Sequence, residues 1–220
     1  MTFFNPEMLF FRRKTSAFEI QDTPGLWRIN WQLGKAIIHS TFYTRHDQAC
    51  LLWGFISALI FMMVQFVSIN WTIQTLVSSA LSMLGIVGMV RLTRYFTTAE
   101  RLGWVLYSWV GLIGVGLLLT NLGVFLRWGA MLTQVCELWL GLSAVGYLCT
   151  GLGMRSRTFL LASAIHLVAI VGLPLAGIWK PLTTGIIISV TVILIAELQW
   201  DTHGVCGHND SLPSAEATQS

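Results

Sequence analysis

The chain has 220 residues, of which 55% are hydrophobic and only 10% charged, with a net charge of +3. A soluble globular domain carries about 25% charged residues, and a core of this size cannot hide so much apolar surface while covering itself with polar groups. The composition therefore excludes a soluble domain. The small positive balance gives no electrostatic footprint for nucleic acid.

In chain order, the N-terminus Met1–Lys14 places its apolar residues before its basic cluster. A secretory leader has the reverse order, so none is expected here, and no lipidation motif is present. Residues 1–47 are read as a cytoplasmic segment containing an amphipathic interfacial helix over about 24–46. Thr23 and Pro24 would start that helix. At helical spacing Arg28, Gln32, Lys35 and His39 form a stripe for lipid headgroups or a protein partner, with Trp27 and Trp31 beside it.

Six stretches then reach the roughly 20 apolar residues that a spanning helix needs: about 49–69, 73–91, 102–121, 128–150, 158–178 and 182–199. Together, residues 48–199 are expected to form an all-α, polytopic six-helix transmembrane bundle whose short connections force antiparallel sequential neighbours. Thr97 and Glu100 read as a capping box ahead of the third span. Pro174 should kink or end the fifth. Ser78, Ser79 and Ser82 of the second span, and Gly111, Gly114 and Gly116 of the third, read as small-residue packing faces. Residues 200–220 read as a disordered cytoplasmic tail.

Lys and Arg set the expected orientation. Arg28, Lys35, Arg45, Arg91, Arg94, Arg101, Arg155 and Arg157 fall on one side, and only Arg127 and Lys180 on the other. The expectation is an integral protein of the cell or inner membrane type with both termini cytoplasmic.

The candidate chemistry is sparse. Glu137 falls about 14 Å into the fourth span at 1.5 Å per residue, where a carboxylic acid must face protein or water rather than lipid. Gln134 lies one turn before it, and His166 about 12 Å into the fifth span. Together these three are the candidate ion or proton site, with a packing hydrogen bond as the alternative role for each. The tail residues Asp201, His203, Cys206 and His208 have the composition but not the spacing of a metal site, and no metal or cofactor is assigned. Cys50, Cys136, Cys149 and Cys206 form no paired motif. There is no Walker loop, HExxH or GxSxG, and no catalytic residue is assigned. A non-enzymatic membrane subunit, scaffold or assembly factor, in the bilayer with a membrane-protein partner or a second copy, is ranked first. A small proton- or ion-coupled transporter using Glu137 and His166 is the alternative, and a membrane enzyme comes last.

Overall fold

A computed structural model describes residues 11–13, 27–33, 36–99 and 102–200. Short strands β1 (Phe11–Arg13), β2 (Trp27–Leu33) and β3 (Ala36–Tyr43) precede the helices. Next come α1 (Arg45–Phe66), α2 (Trp71–Ala99), α3 (Gly103–Phe125), the single turn α4 (Gly129–Thr133) and α5 (Val135–Met154). The chain continues through α6 (Arg157–Gly172), a 3-10 segment (Leu173–Trp179), α7 (Lys180–Glu197) and strand β4 (Leu198–Trp200).

The architecture is an all-α membrane-type bundle. Five helical stretches are long and apolar enough to cross a membrane, the last running from Arg157 to Glu197. That 41-residue stretch folds back on itself. Gly151 and Leu160 meet where α5 hands over to α6, and Ser163 donates to the Ala144 carbonyl, so α6 runs antiparallel to α5. Lys180, at the start of α7, meets Glu137, at the start of α5, so α7 runs parallel to α5. The reversal sits at the 3-10 segment. α6 stops at Gly172, two residues before Pro174, whose ring cannot continue the helix, and Gly177 takes φ 53°, ψ −120°. A side chain with a Cβ is strained at that φ, so Gly177→Ala should cost about 1–3 kcal/mol. Thermal unfolding in detergent would read this as a lowered midpoint.

Of the amphipathic interfacial helix expected over 24–46, the described residues 27–33 and 36–43 are extended instead. The backbone there is the antiparallel hairpin β2–β3, with Trp27 opposite Tyr43, Leu33 opposite Ala36 and a bulge between Trp31 and Gln32. The reason is legible in Trp27-Arg28-Ile29-Asn30-Trp31-Gln32-Leu33, which alternates apolar and polar at period two, and in the β-branched and aromatic run from Ala36 to Tyr43. With extended backbone, no helical face gathers Arg28, Gln32 and His39 into a stripe; Lys35 and the tail from Asp201 onward, with its His and Cys, lie outside the described residues. Strand β1 pairs with β4, joining residues from the two ends of the chain.

The capping box also lies elsewhere. Thr97 is inside α2, its hydroxyl bonded to the Thr93 and Arg94 carbonyls, because α2 runs on to Ala99 rather than ending near 91. The box stands instead at the start of α1. Thr44 Oγ1 accepts from the Asp47 amide, and Asp47 Oδ2 accepts from the Thr44 amide. At the same end the Tyr43 hydroxyl donates to Glu197 Oε1, tying β3 to the end of α7. Burial, reinforced by the Glu197 and Asp47 carboxylates, pushes the Tyr43 phenol well above its ordinary range and keeps it a donor.

The packing closes a ring. α1 lies against α2, α2 against α3, α3 against α5, α5 against α7, and α7 against α1, while α6 packs outside on α5. Arg45, Arg91, Arg94, Arg155 and Arg157 all fall at one end of this ring, and Arg127 and Lys180 at the other.

Candidate functional site

Helix α2 is built inside out by the standards of a soluble helix. Its exposed positions include Ile73, Leu76, Val77, Met83, Leu84 and Val87, whereas Gln74, Thr75 and Ser82 are buried. Apolar residues face outward because hydrocarbon is the solvent; the polar ones at 74, 75, 78, 79 and 82 recur at helical spacing on the inward face. They are not only packing devices. They line a chamber of about 160 Å³ enclosed by α1, α2, α3, α5 and α7. Ser57 of α1, Thr120 of α3 and Ser143 of α5 add hydroxyls, and Trp53, Trp71, Trp109 and Trp139 add indole walls. Among the described residues no Asp, Glu, Lys, Arg or His lines this chamber.

A second chamber of about 100 Å³ continues toward the arginine-rich end, with His46, Cys50, Thr93, Thr97, Tyr147 and Thr150 in its wall. Trp53 and Trp109 belong to the walls of both chambers. They form the septum between them. Each indole is seated on a glycine of the next helix in the ring: a Cβ added to Gly85 would lie 2.2 Å from Trp53 Cζ3, and one added to Gly146 would lie 2.6 Å from Trp109 Cη2. Trp109 Nε1 also donates to Thr150 Oγ1 at 2.9 Å, and that hydroxyl in turn donates to the Gly146 carbonyl. Of the three glycines read as a packing face on α3, Gly116 lies under Leu142 and Trp139, whereas Gly111 and Gly114 have nothing within 4 Å.

The residues singled out from sequence are placed apart. Glu137 is not isolated at mid-depth. The stretch 128–150 is broken at Gln134 (φ −110°, ψ 11°), which ends α4 and caps α5, so Glu137 falls in the first turn of α5. There Lys180 Nζ, from α7, meets Glu137 Oε1 at 2.8 Å, and a carboxylate in a first turn also suits the helix dipole. Glu137 Oε2 has no partner in the protein. Gln134 is exposed. His166, fully buried on α6, has Nδ1 2.8 Å from the Ala162 carbonyl and its ring 5.0 Å from that of Tyr147. Tyr147 and Glu137 are ten residues apart on α5, about 15 Å, so Glu137, Gln134 and His166 are not brought together. None of the three lines either chamber.

Among the described residues no three His, Cys, Asp or Glu side chains gather as metal ligands, and Cys50, Cys136 and Cys149 form no disulfide. The residues that sequence reasoning missed are Gln74, Trp53, Trp109 and Lys180. Only α2's polar stripe had a local signal, and that signal reads equally as helix packing. The fold defines a multi-pass integral membrane protein with an internal, uncharged chamber. Comparison with protein families, with curated proteins and with solved structures finds no match for the chain.

Proposed function

We propose that this chain is a carrier for a small uncharged solute, a six-pass bundle in which five helices form the ring, with both termini on the cytoplasmic side. One observation carries the reading: two chambers lie end to end along the ring and share the wall made by Trp53 and Trp109. A solute with several hydrogen-bonding groups crosses hydrocarbon slowly because each group loses its water partners at a cost of roughly 2–7 kcal/mol. Hydroxyls and an amide along α2 offer replacement partners inside the membrane. The uncharged lining of the first chamber argues for a neutral solute. The arginines at the second chamber's end support a cytoplasmic location for that end.

Native cysteines provide the test, since Cys136 lines the first chamber and Cys50 the second. In a Cys149→Ser, Cys206→Ser background in sealed vesicles, a small membrane-impermeant methanethiosulfonate should label Cys136 from the outer face and Cys50 from the cytoplasmic face. Labelling of both from one face only would sink the reading.

The subunit or assembly-factor reading keeps one observation in its favour: the hairpin β2–β3 leads into α1 at the arginine-rich end, outside the ring. It requires a stoichiometric partner, or a second copy, when the protein is extracted in mild detergent. A lone particle would leave the carrier reading standing. The ion-coupled alternative, through Glu137 and His166, requires Glu137→Gln to abolish flux or its pH dependence.

A further inference from the structure

The first chamber contains a donor with nothing to donate to. Gln74 is 5% exposed, lies in the first turns of α2 and lines the chamber, and its Nε2 has no acceptor within the protein. A buried amide N–H left unpaired bears the full desolvation penalty of the group, so an occupant that brings an acceptor is favoured over one that does not. The next amide in the neighbourhood shows the contrast. Asn121 Nδ2 donates to Ser79 Oγ at 2.9 Å and to the Leu117 carbonyl at 2.7 Å, so it makes no demand on an occupant.

Size and walls narrow the class. A dry engineered cavity of about 150 Å³ holds benzene, and this chamber measures about 160 Å³. Indole faces from Trp53, Trp109 and Trp139 offer stacking area to a flat body. The absence of charged groups in the described lining leaves nothing to compensate an ion, whose burial is far costlier than that of a neutral group.

We infer that the first chamber is a binding site for a small, flat, uncharged molecule with a carbonyl acceptor, an amide or urea on an apolar body, and that Gln74 Nε2 is the donor that selects it. This rests on the proposed function for the chamber's role, but it concerns recognition rather than passage.

The experiment uses the full chain in nanodiscs with two probes of equal heavy-atom count, benzamide and isopropylbenzene, and with benzoate as the charged control. Benzamide should bind, isopropylbenzene should bind more weakly and benzoate should not bind. Gln74→Leu should weaken benzamide by about tenfold, the loss expected for one hydrogen bond, and leave isopropylbenzene unchanged. Gln74→Met keeps the length of the side chain and removes the donor without adding a charge, so it should lose benzamide to a similar extent and guards against misfolding of the leucine variant. Equal binding of benzamide and isopropylbenzene, or no change in either variant, overturns Gln74 as the selecting donor while the chamber remains a binding site. Binding of none of the probes overturns the assignment of the chamber itself, and with it the carrier reading's solute class.

Discussion

Trp109→Ala is expected to join the two chambers and to raise the flux of a small uncharged solute by at least about tenfold, the effect of about 1.4 kcal/mol off a barrier. Trp109 is wall to both chambers, and its indole is held in place by Gly146 beneath it and by Thr150 Oγ1 at 2.9 Å. Removing the ring deletes the septum on the α3 side. Thr150 keeps its bond to the Gly146 carbonyl, so no buried hydroxyl is orphaned. Truncating a fully buried tryptophan costs about 3–5 kcal/mol; Trp109 is only half-buried, so the loss should be smaller. Gly146→Ala acts on the same ring from the other side. Its methyl would sit within 2.7 Å of three indole carbons and must displace Trp109 or the helix, a strain of about 1–3 kcal/mol. A leakier path in Trp109→Ala, measured with folding checked by gel filtration, supports a septum. Unchanged flux would make Trp109 a packing residue.

Lys180→Met is expected to destabilise the protein by about 1–3 kcal/mol. Breaking a fully buried ion pair costs about 3–5 kcal/mol because a charge is left uncompensated. Here the side chains of Lys180 and Glu137 keep 30% and 22% of their exposure, so water at the rim offsets part of the loss. Glu137 Oε2 is already without a partner, and Lys180 Nζ donates to Oε1. Glu137→Gln alone should also destabilise, and the double variant should recover much of the difference, a coupling of about 0.5–3 kcal/mol. Additive losses would mean that the pair at 2.8 Å does not hold α7 to α5.

What the sequence carried and what it hid divide by range. The membrane class followed from composition, and helices followed from apolar runs, because both depend on the solvent around each segment alone. The break at Gln134 has no proline or glycine to announce it, so the sequence reads Glu137 as well inside one continuous helix, whereas it stands in the first turn of α5. Its partner lies 43 residues away, across a reversal whose local marks are Pro174 and Gly177. The segment from Trp27 to Tyr43 was misread by period: aromatic and basic residues can be fitted to a helical stripe, but the strict alternation in β2 belongs to a strand. Ser78, Ser79 and Ser82 were seen as a face, and a small polar face fits a close helix contact and a chamber wall equally well. Which one holds is decided by the closure of α1, α2, α3, α5 and α7 into a ring, and no single segment encodes that closure.

Uptake measured by stopped-flow light scattering in proteoliposomes shows whether the ring passes a small neutral solute. Acetamide or urea should enter faster than in protein-free vesicles, more slowly with Gln74→Leu and faster still with Trp109→Ala. Uptake equal to that of protein-free vesicles, with Trp109→Ala included, would contradict the account and leave the chambers as packing defects of a structural subunit.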